Sequence, residues 1–183
     1  MTTAASQMPV ERGDLTMSVA VQMAQETVAQ RLWSRDRLLV AARGVDPVLR
    51  TEVVQMGQGT LMRTLEHMLL AETVWVSALE GDGAAVLKPD TYTDMEALDS
   101  AWPGVDARWA AFMAGLPEAG LGETVSRTSV MMNRTYELTV RDVLLHVSTH
   151  HMYTLAQAAN MVRRFGGDAP STGYAAWAVE ATR

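Results

Sequence analysis

Histidines are the residues of this chain best suited to chemistry, because three of the four lie within six positions. His146 and His150 are four residues apart, so on a helix they lie on one face, roughly 40° and one turn from each other. Two imidazoles at this spacing converge on one metal ion, as they do in the H-E-x-x-H motif of zinc proteases. The acidic residue of that motif is absent here, which excludes a zinc protease.

The other two histidines occupy different positions in the hydrophobic pattern. His67 lies off the apolar stripe of an earlier predicted helix, and it brings a third imidazole to the pair if the two helices are neighbours. His151 lies within the apolar stripe of its own helix, which is typical of a core histidine held by one hydrogen bond.

Three carboxylates accompany the histidines. Glu66 and Glu72 flank His67, and Asp142 comes one turn before His146. Each is suited to orient a metal-bound imidazole by a hydrogen bond. Each is equally consistent with an ordinary solvated helix charge or a helix cap, and the sequence leaves both interpretations open.

Several other kinds of site are excluded by residue type or spacing. The chain has no cysteine, so it has no thiolate metal site, disulfide framework or cysteine nucleophile. No histidine follows an acidic residue by three positions, as a di-iron bundle requires. A G-x-S-x-G elbow and a glycine-rich phosphate loop are also absent.

Composition favours a single globular domain. The chain has 183 residues, 48% hydrophobic, and a net charge of -6. An acidic balance argues against a nucleic-acid partner, because phosphate binding needs a concentrated basic face. No apolar run reaches the roughly 18 residues that span a bilayer, and the N-terminus lacks a signal-peptide pattern. We therefore expect a cytoplasmic protein without a membrane partner.

Helical periodicity predicts the elements that position the histidines. We expect a loose arm over residues 1–14 and one domain over residues 15–183. Four long amphipathic helices in one domain favour an all-α four-helix bundle. The predicted helices run from Thr16 to Gly44, from a Thr60 cap to Gly81, from a Thr93–Glu96 capping box to Leu116, and from Val140 to Phe165.

Shorter features fall between and after these helices. Pro103-Gly104 is expected to kink the third helix or split off its first turns. A change in composition over residues 123–139 predicts a short hairpin before the fourth helix, and Thr139 with Asp142 predicts a cap at the start of that helix. In the tail from Pro170, the residues Tyr174, Trp177 and Val179 predict one short docking helix.

Three stretches of the sequence form a recognisable set: LWSRDRLL at 32–39, GTLMRTLEHML at 59–69 and RDVLLHVSTH at 141–150. The pattern continues through Trp75, Gln157 and Gly166, and with residues 102–116 it covers most of residues 30–170. In order and spacing these stretches resemble the DinB/YfiT-like family of bacterial metal-binding bundles.

This resemblance implies an up-down-down-up four-helix bundle, commonly a homodimer. It also implies a divalent metal, often zinc or nickel, held by one histidine of the second helix and two of the fourth. His67 matches the first of these. On the fourth helix the family often has three histidines four residues apart, followed by Arg-Gly-Gln, and the second and third are the usual ligands.

The chain departs from that pattern at the third position. It has His146, His150 and then Thr154, followed by Leu155-Ala156-Gln157. Three arrangements remain: a ligand pair shifted to His146 and His150, two histidines plus water, or a site that has lost its metal. An alignment shifted to His151 breaks the match at Gln157. We predict His67, His146 and His150 as ligands, with Thr154 and Gln157 lining the open position.

The family's known activities imply a metal-dependent S-transferase. Such enzymes join a low-molecular-weight thiol, bacillithiol or mycothiol, to a small electrophile, and a metal lowers the thiol's pKa. The family name refers to induction by DNA damage, which implies a stress or detoxification role. One alternative is a non-enzymatic stress-linked bundle with a degenerate metal site. Another is a metal-dependent hydrolase, with Glu66, Glu72 or Asp142 as general base.

Overall fold

The protein is mostly helical, with one two-stranded antiparallel hairpin. The computed structural model describes residues 18–86 and 88–181. The predicted arm over residues 1–14 and the predicted helix start at Thr16 therefore lie outside the described residues. In chain order the elements are α1 (Val19–Arg43), α2 (Pro47–Arg50), α3 (Leu61–Leu79), α4 (Met95–Gly115), a 3-10 turn (Glu118–Gly122), β1 (Thr124–Ser129), β2 (Arg134–Thr139), α5 (Val140–Arg164) and α6 (Tyr174–Ala181).

Side-chain caps begin the two helices that carry the histidines, as predicted. The Thr60 hydroxyl accepts a hydrogen bond from the backbone N–H of Arg63 at 3.1 Å. Thr139 and Asp142 form a complete capping box, in which each side chain accepts from the other's backbone N–H. These bonds satisfy N–H groups that have no partner within the helix, and they fix where α3 and α5 begin.

The third long helix differs from its prediction in two respects. Its cap is Asp94, whose carboxylate accepts from Ala97 N at 2.8 Å, and the predicted Thr93–Glu96 box is wrong because Asp is at least as good a cap one residue later. The helix also continues through Pro103, so the predicted split is wrong. Pro103 is exposed, so water can solvate the backbone carbonyl that the missing proline N–H leaves without a helix partner.

The connector after α1 contains a helical turn that periodicity did not predict. Asp46 caps α2, because its side chain accepts a hydrogen bond from the N–H of Val48 at 2.8 Å. The first residue of the helix is Pro47. Proline is favourable there because its missing N–H would have no partner. A single turn is too short to produce a detectable apolar stripe.

The hairpin and the C-terminal helix occur where they were expected. β1 pairs with β2 from Thr124 opposite Thr139 to Ser129 opposite Arg134. β1 lies against α3, and β2 lies against α5. α6 docks on α1, and its contacts include a hydrogen bond from the Trp33 indole to Glu180 at 2.9 Å.

The four long helices share one hydrophobic core. α3 packs against both α4 and α5, while α1 packs against α5 and to a lesser extent α4. Each fully buried aliphatic or aromatic side chain contributes roughly 1.5–3 kcal/mol. Among the described residues, no helix is long and apolar enough to cross a membrane. The largest fully buried apolar side chains are those of Trp109, Leu38, Leu61, Leu65, Met68, Leu69, Leu98, Leu155 and Met161.

Candidate metal-binding site

His67 and His150 face each other across the contact between α3 and α5. Their Nε2 atoms are 3.1 Å apart. The rings meet edge to face, with centroids 5.1 Å apart. Two of the predicted ligands, which are 83 positions apart in the chain, are thus brought together by helix packing.

His146 lies beside this close pair. Its ring stacks on that of His150 with centroids 6.0 Å apart, and its other neighbour is the Trp75 ring at 4.8 Å. Across residues 18–86 and 88–181, no three histidine, aspartate or glutamate side chains are arranged to hold one metal ion. The predicted ligands therefore divide into a facing pair and one exposed neighbour.

All three imidazoles are held in the neutral form near pH 7. Burial, together with the charges of His67, His146 and His151, lowers the pKa of His150 from 6.5 to about 4. Burial also lowers the pKa of His67 and of His146. Neutral imidazole is the form that binds a metal ion, so protons compete only weakly for this site.

Glu66 and Asp142 make hydrogen bonds elsewhere, rather than to the histidines. The buried Glu66 carboxylate accepts the backbone N–H groups of Asp90, Thr91 and Tyr92 at 3.0, 2.6 and 2.9 Å. It therefore ties the loop after α3 to that helix. Asp142 borders the site but caps α5 and pairs with Arg141 at 3.1 Å.

Thr154 and Gln157 lie further along α5 and do not line the pocket beside the histidines. Thr154 is buried, and its hydroxyl donates to the carbonyl oxygen of His150 at 3.0 Å. Gln157 is half-buried. The prediction that these two side chains line an open coordination position stays a prediction.

A pocket of about 410 Å³ opens beside the three imidazoles. Trp75 of α3 and Tyr136 of β2 form its aromatic wall, with their rings 6.5 Å apart, and Leu138 and Arg127 extend the lining along the hairpin. The volume lies within the roughly 300–1,000 Å³ of small-molecule sites. The helices thus supply the imidazoles, and the hairpin supplies much of the wall.

His151 belongs to a separate buried chain of hydrogen bonds. Its Nδ1 lies 3.1 Å from Glu72 Oε1, and its Nε2 lies 3.1 Å from the Ser34 hydroxyl. The sequence predicted a core histidine with one hydrogen bond, and the structure provides two. The arrangement resembles a serine triad, but Ser34 is completely buried and offers no access to a substrate.

Two arginines of α1 complete this buried polar cluster. Arg31 lies 3.6 Å from Glu72 and stacks on Trp109, with its guanidinium carbon 4.2 Å from the ring centre. Arg35 pairs with Asp106 at 2.6 Å. Burial alone would raise the pKa of Glu72, but Arg31 and His151 outweigh it and hold that pKa at about 2. Glu72 therefore pairs with Arg31 and His151 and does not orient His67.

The matching family model identifies the chain. The DinB family model covers residues 17–182. The chain belongs to the DinB family. The fold also resembles the crystal structure of a DinB family member protein from Shewanella denitrificans, with a TM-score of 0.51, 18% identity, and coverage of 85% of this chain and 86% of that one. None of the curated proteins matches the chain.

Residues of the candidate site that the sequence did not predict come mainly from the hairpin. Arg127 and Tyr136 lie on strands that run past α3 and α5, and no helical stripe signals them. One signal was available for Arg127: it alternates with the inward-facing Val125, so period-2 patterning places it on the buried face of β1.

Proposed function

We propose that this DinB family protein binds a divalent cation, zinc or nickel, and acts as a metal-dependent S-transferase. His67 and His150 are the primary ligands, and His146 is the third. The cosubstrate is a low-molecular-weight thiol such as bacillithiol or mycothiol, and the acceptor is a small electrophile. The separation of 3.1 Å between the facing Nε2 atoms carries this proposal.

That separation fits two ligands on one ion. With metal–nitrogen bonds of about 2.0–2.1 Å, nitrogens on adjacent tetrahedral or octahedral positions lie roughly 2.9–3.4 Å apart. The distance between the two facing Nε2 atoms therefore needs to change little when an ion binds. His146 is exposed and one helical turn away, so rotation about its own side-chain torsions brings it towards the pair without moving the backbone.

In the proposed reaction the chain's own residues bind the metal ion and exclude water from the substrate. A bound divalent cation lowers the pKa of a thiol, which makes the thiolate available near neutral pH. The chain has no cysteine, so the nucleophilic sulfur belongs to the cosubstrate. Trp75, Tyr136 and Leu138 offer apolar surface to the electrophile and exclude water around it.

The proposal extends to the finer architecture. The four long helices form the up-down-down-up bundle that the family resemblance implies, and two chains form a homodimer. The helix contacts support the first part, because α3 and α5 adjoin and α1 and α5 adjoin. Light scattering on the purified protein tests the second.

Metal content tests the proposed site directly. We expect elemental mass spectrometry of the untagged protein to find about one zinc or nickel ion per chain, with losses in His67→Ala and His150→Ala. Asn160→Ala is the matched control, since Asn160 is exposed on α5 and lies outside the pocket. Absence of metal after reconstitution with zinc and nickel would overturn the proposal. The activity is then tested by transfer of each thiol to an electrophile, which His67→Ala should abolish.

A second function is favoured by Thr154. Its hydroxyl is engaged with the His150 carbonyl at 3.0 Å, at the position where the family pattern has a ligand. On this reading the protein is a non-enzymatic binding bundle, and the histidine pair is a hydrogen bond between neutral imidazoles. It predicts that His150→Ala leaves thermal stability in added zinc nearly unchanged, whereas a true ligand loses the stabilisation that a bound ion provides.

The hydrolase alternative has less support. It requires a general base beside the histidines. Glu66 is occupied by the loop backbone, and Glu72 is buried against Arg31. Only Asp142 of these three carboxylates lines the pocket, and its oxygens serve the cap of α5.

A further inference from the structure

Arg127 presents a buried cation to the pocket beside the histidines. The side chain is only 6% exposed and lies on the inward face of β1 with Val125, which is 8% exposed. Arg127 also lines the pocket that contains His67, His146 and His150. Inward-facing positions of a strand are usually apolar, so the charged side chain of Arg127 is unexpected at this position of β1.

No ion pair joins Arg127 to a carboxylate of the described residues, and Asp82 offsets its charge only in part, from beyond ion-pair distance. The Arg127 Nη1 donates to the backbone carbonyl oxygens of Gly83 and Thr128. The other two buried arginines, Arg31 and Arg35, each lie within 4 Å of a carboxylate. Burying a cation without a counter-charge costs free energy, and burial correspondingly lowers the pKa of Arg127. An anion in the pocket would remove that cost.

The rest of the pocket lining indicates which chemical groups such an anion would have besides its charge. Trp75 and Tyr136 form an aromatic wall of the same pocket that Arg127 lines. Among the described residues that line the pocket, Asp142 is the one with an acidic side chain, and it already pairs with Arg141 at 3.1 Å. Arg127 is therefore a lining cation without an ion-pair partner. Arginine presents a planar fork that suits a carboxylate.

We propose that this pocket binds a small aromatic or otherwise apolar carboxylate, with Arg127 as the residue that selects the carboxylate. The inference rests on the proposed function, because it names the substrate class of the same pocket. The carboxylate meets the Arg127 guanidinium, and the apolar body packs on Trp75 and Tyr136. The electrophilic substrate is therefore expected to be an anion rather than a neutral molecule.

The test uses 2-naphthoate and its neutral analogue 2-naphthamide as probes, titrated by NMR into protein freed of metal with a chelator. We expect naphthoate to shift the Trp75 indole and β1 amide resonances and to bind at least about tenfold more tightly than naphthamide. Arg127→Met should abolish this preference. Arg163→Met, on an exposed arginine near the C-terminal end of α5 and outside the pocket, is the control and should retain it.

The outcomes separate this inference from the metal proposal. Equal affinity for the two probes in the wild-type protein would overturn the role of Arg127, as would a preference that survives Arg127→Met. Arg127→Lys keeps the charge and should retain part of the preference, which guards against a folding defect in the methionine variant. Because the titrations use metal-free protein, their result does not depend on whether the histidines bind an ion.

Discussion

Protonation is the property that most distinguishes the facing imidazoles at the residue scale. His67 and His150 lie with their Nε2 atoms 3.1 Å apart, so a proton on both nitrogens would place two donors against each other. Burial and neighbouring histidines lower the pKa of His150 to about 4. The fold therefore keeps both rings neutral over the physiological pH range, and one Nε2 donates its hydrogen to the other.

This depressed pKa predicts a stability loss in acid. The unfolded chain binds a proton at His150 near pH 6.5, whereas the folded chain does so only near pH 4. Between these values the unfolded state binds more protons, so the free energy of unfolding falls as pH falls. Urea unfolding of metal-free protein at pH 4–7 should show a shallower pH dependence for His150→Gln than for the wild type.

His67 and His146 also have lowered pKa values because of burial. The His150→Gln variant should consequently keep part of the slope. Parallel curves for the variant and the wild type would contradict the assignment of the acid-sensitive proton to His150.

At the element scale, helix caps fix the register of the site. α5 begins at a complete capping box of Thr139 and Asp142, and His146 and His150 follow in its second and third turns. α3 begins at Thr60, and His67 follows in its second turn. The caps hold the first turn of each helix in place. Fraying of the first turn of α5 would loosen the histidines that follow it and the strand β2 that precedes it.

Removal of the Thr139 cap should destabilise the protein. Thr139→Ala leaves the N–H of Asp142 without the acceptor that it contacts at 3.1 Å, and such losses cost about 1 kcal/mol. Chemical denaturation measures the change. Thr149→Ala, in the exposed middle of the same helix with its hydroxyl on the Leu145 carbonyl, is the control and should have a smaller effect. Equal effects of the two substitutions would contradict the role of the cap.

Periodicity and capping chemistry predicted most elements, since both are local properties of the chain. The starts of α3 and α5 and the position of the hairpin followed from residues within a few positions of one another. The cap of α4 was misplaced by one residue because Thr93 and Asp94 are both good caps. Apolar periodicity did not predict α2, because a helix of one turn is too short to show a repeat.

At the scale of the whole molecule, a buried charge cluster joins α1, α3, α4 and α5. Arg31 and Arg35 of α1 meet Glu72 of α3, Asp106 of α4 and His151 of α5. The sequence could place each residue on a helix but not its partner, because partnership depends on how the helices rotate and pack. For the same reason the sequence left open whether Glu72 orients a histidine or is an ordinary helix charge, and it did not predict the hairpin residues in the pocket.

The cluster should respond strongly to loss of one partner. Glu72→Gln leaves the Arg31 charge buried and unpaired, which typically costs about 3–5 kcal/mol of stability. Replacing both partners, as Glu72→Gln with Arg31→Met, removes the stranded charge and should recover much of the loss. Urea denaturation of both single variants and the double variant gives the coupling energy, and simple additivity would refute the pairing.

The closed base of the hairpin separates the hairpin residues of the pocket from the histidines along the chain. The N–H of Val140 donates to the carbonyl of Glu123 at 2.9 Å, so the chain leaves the helical body and returns to it at neighbouring points. Arg127 and Tyr136 lie inside this excursion, while the histidines lie outside it. Under the proposed function, a different hairpin grafted between the same two points would present new side chains to a substrate and leave the imidazoles unchanged.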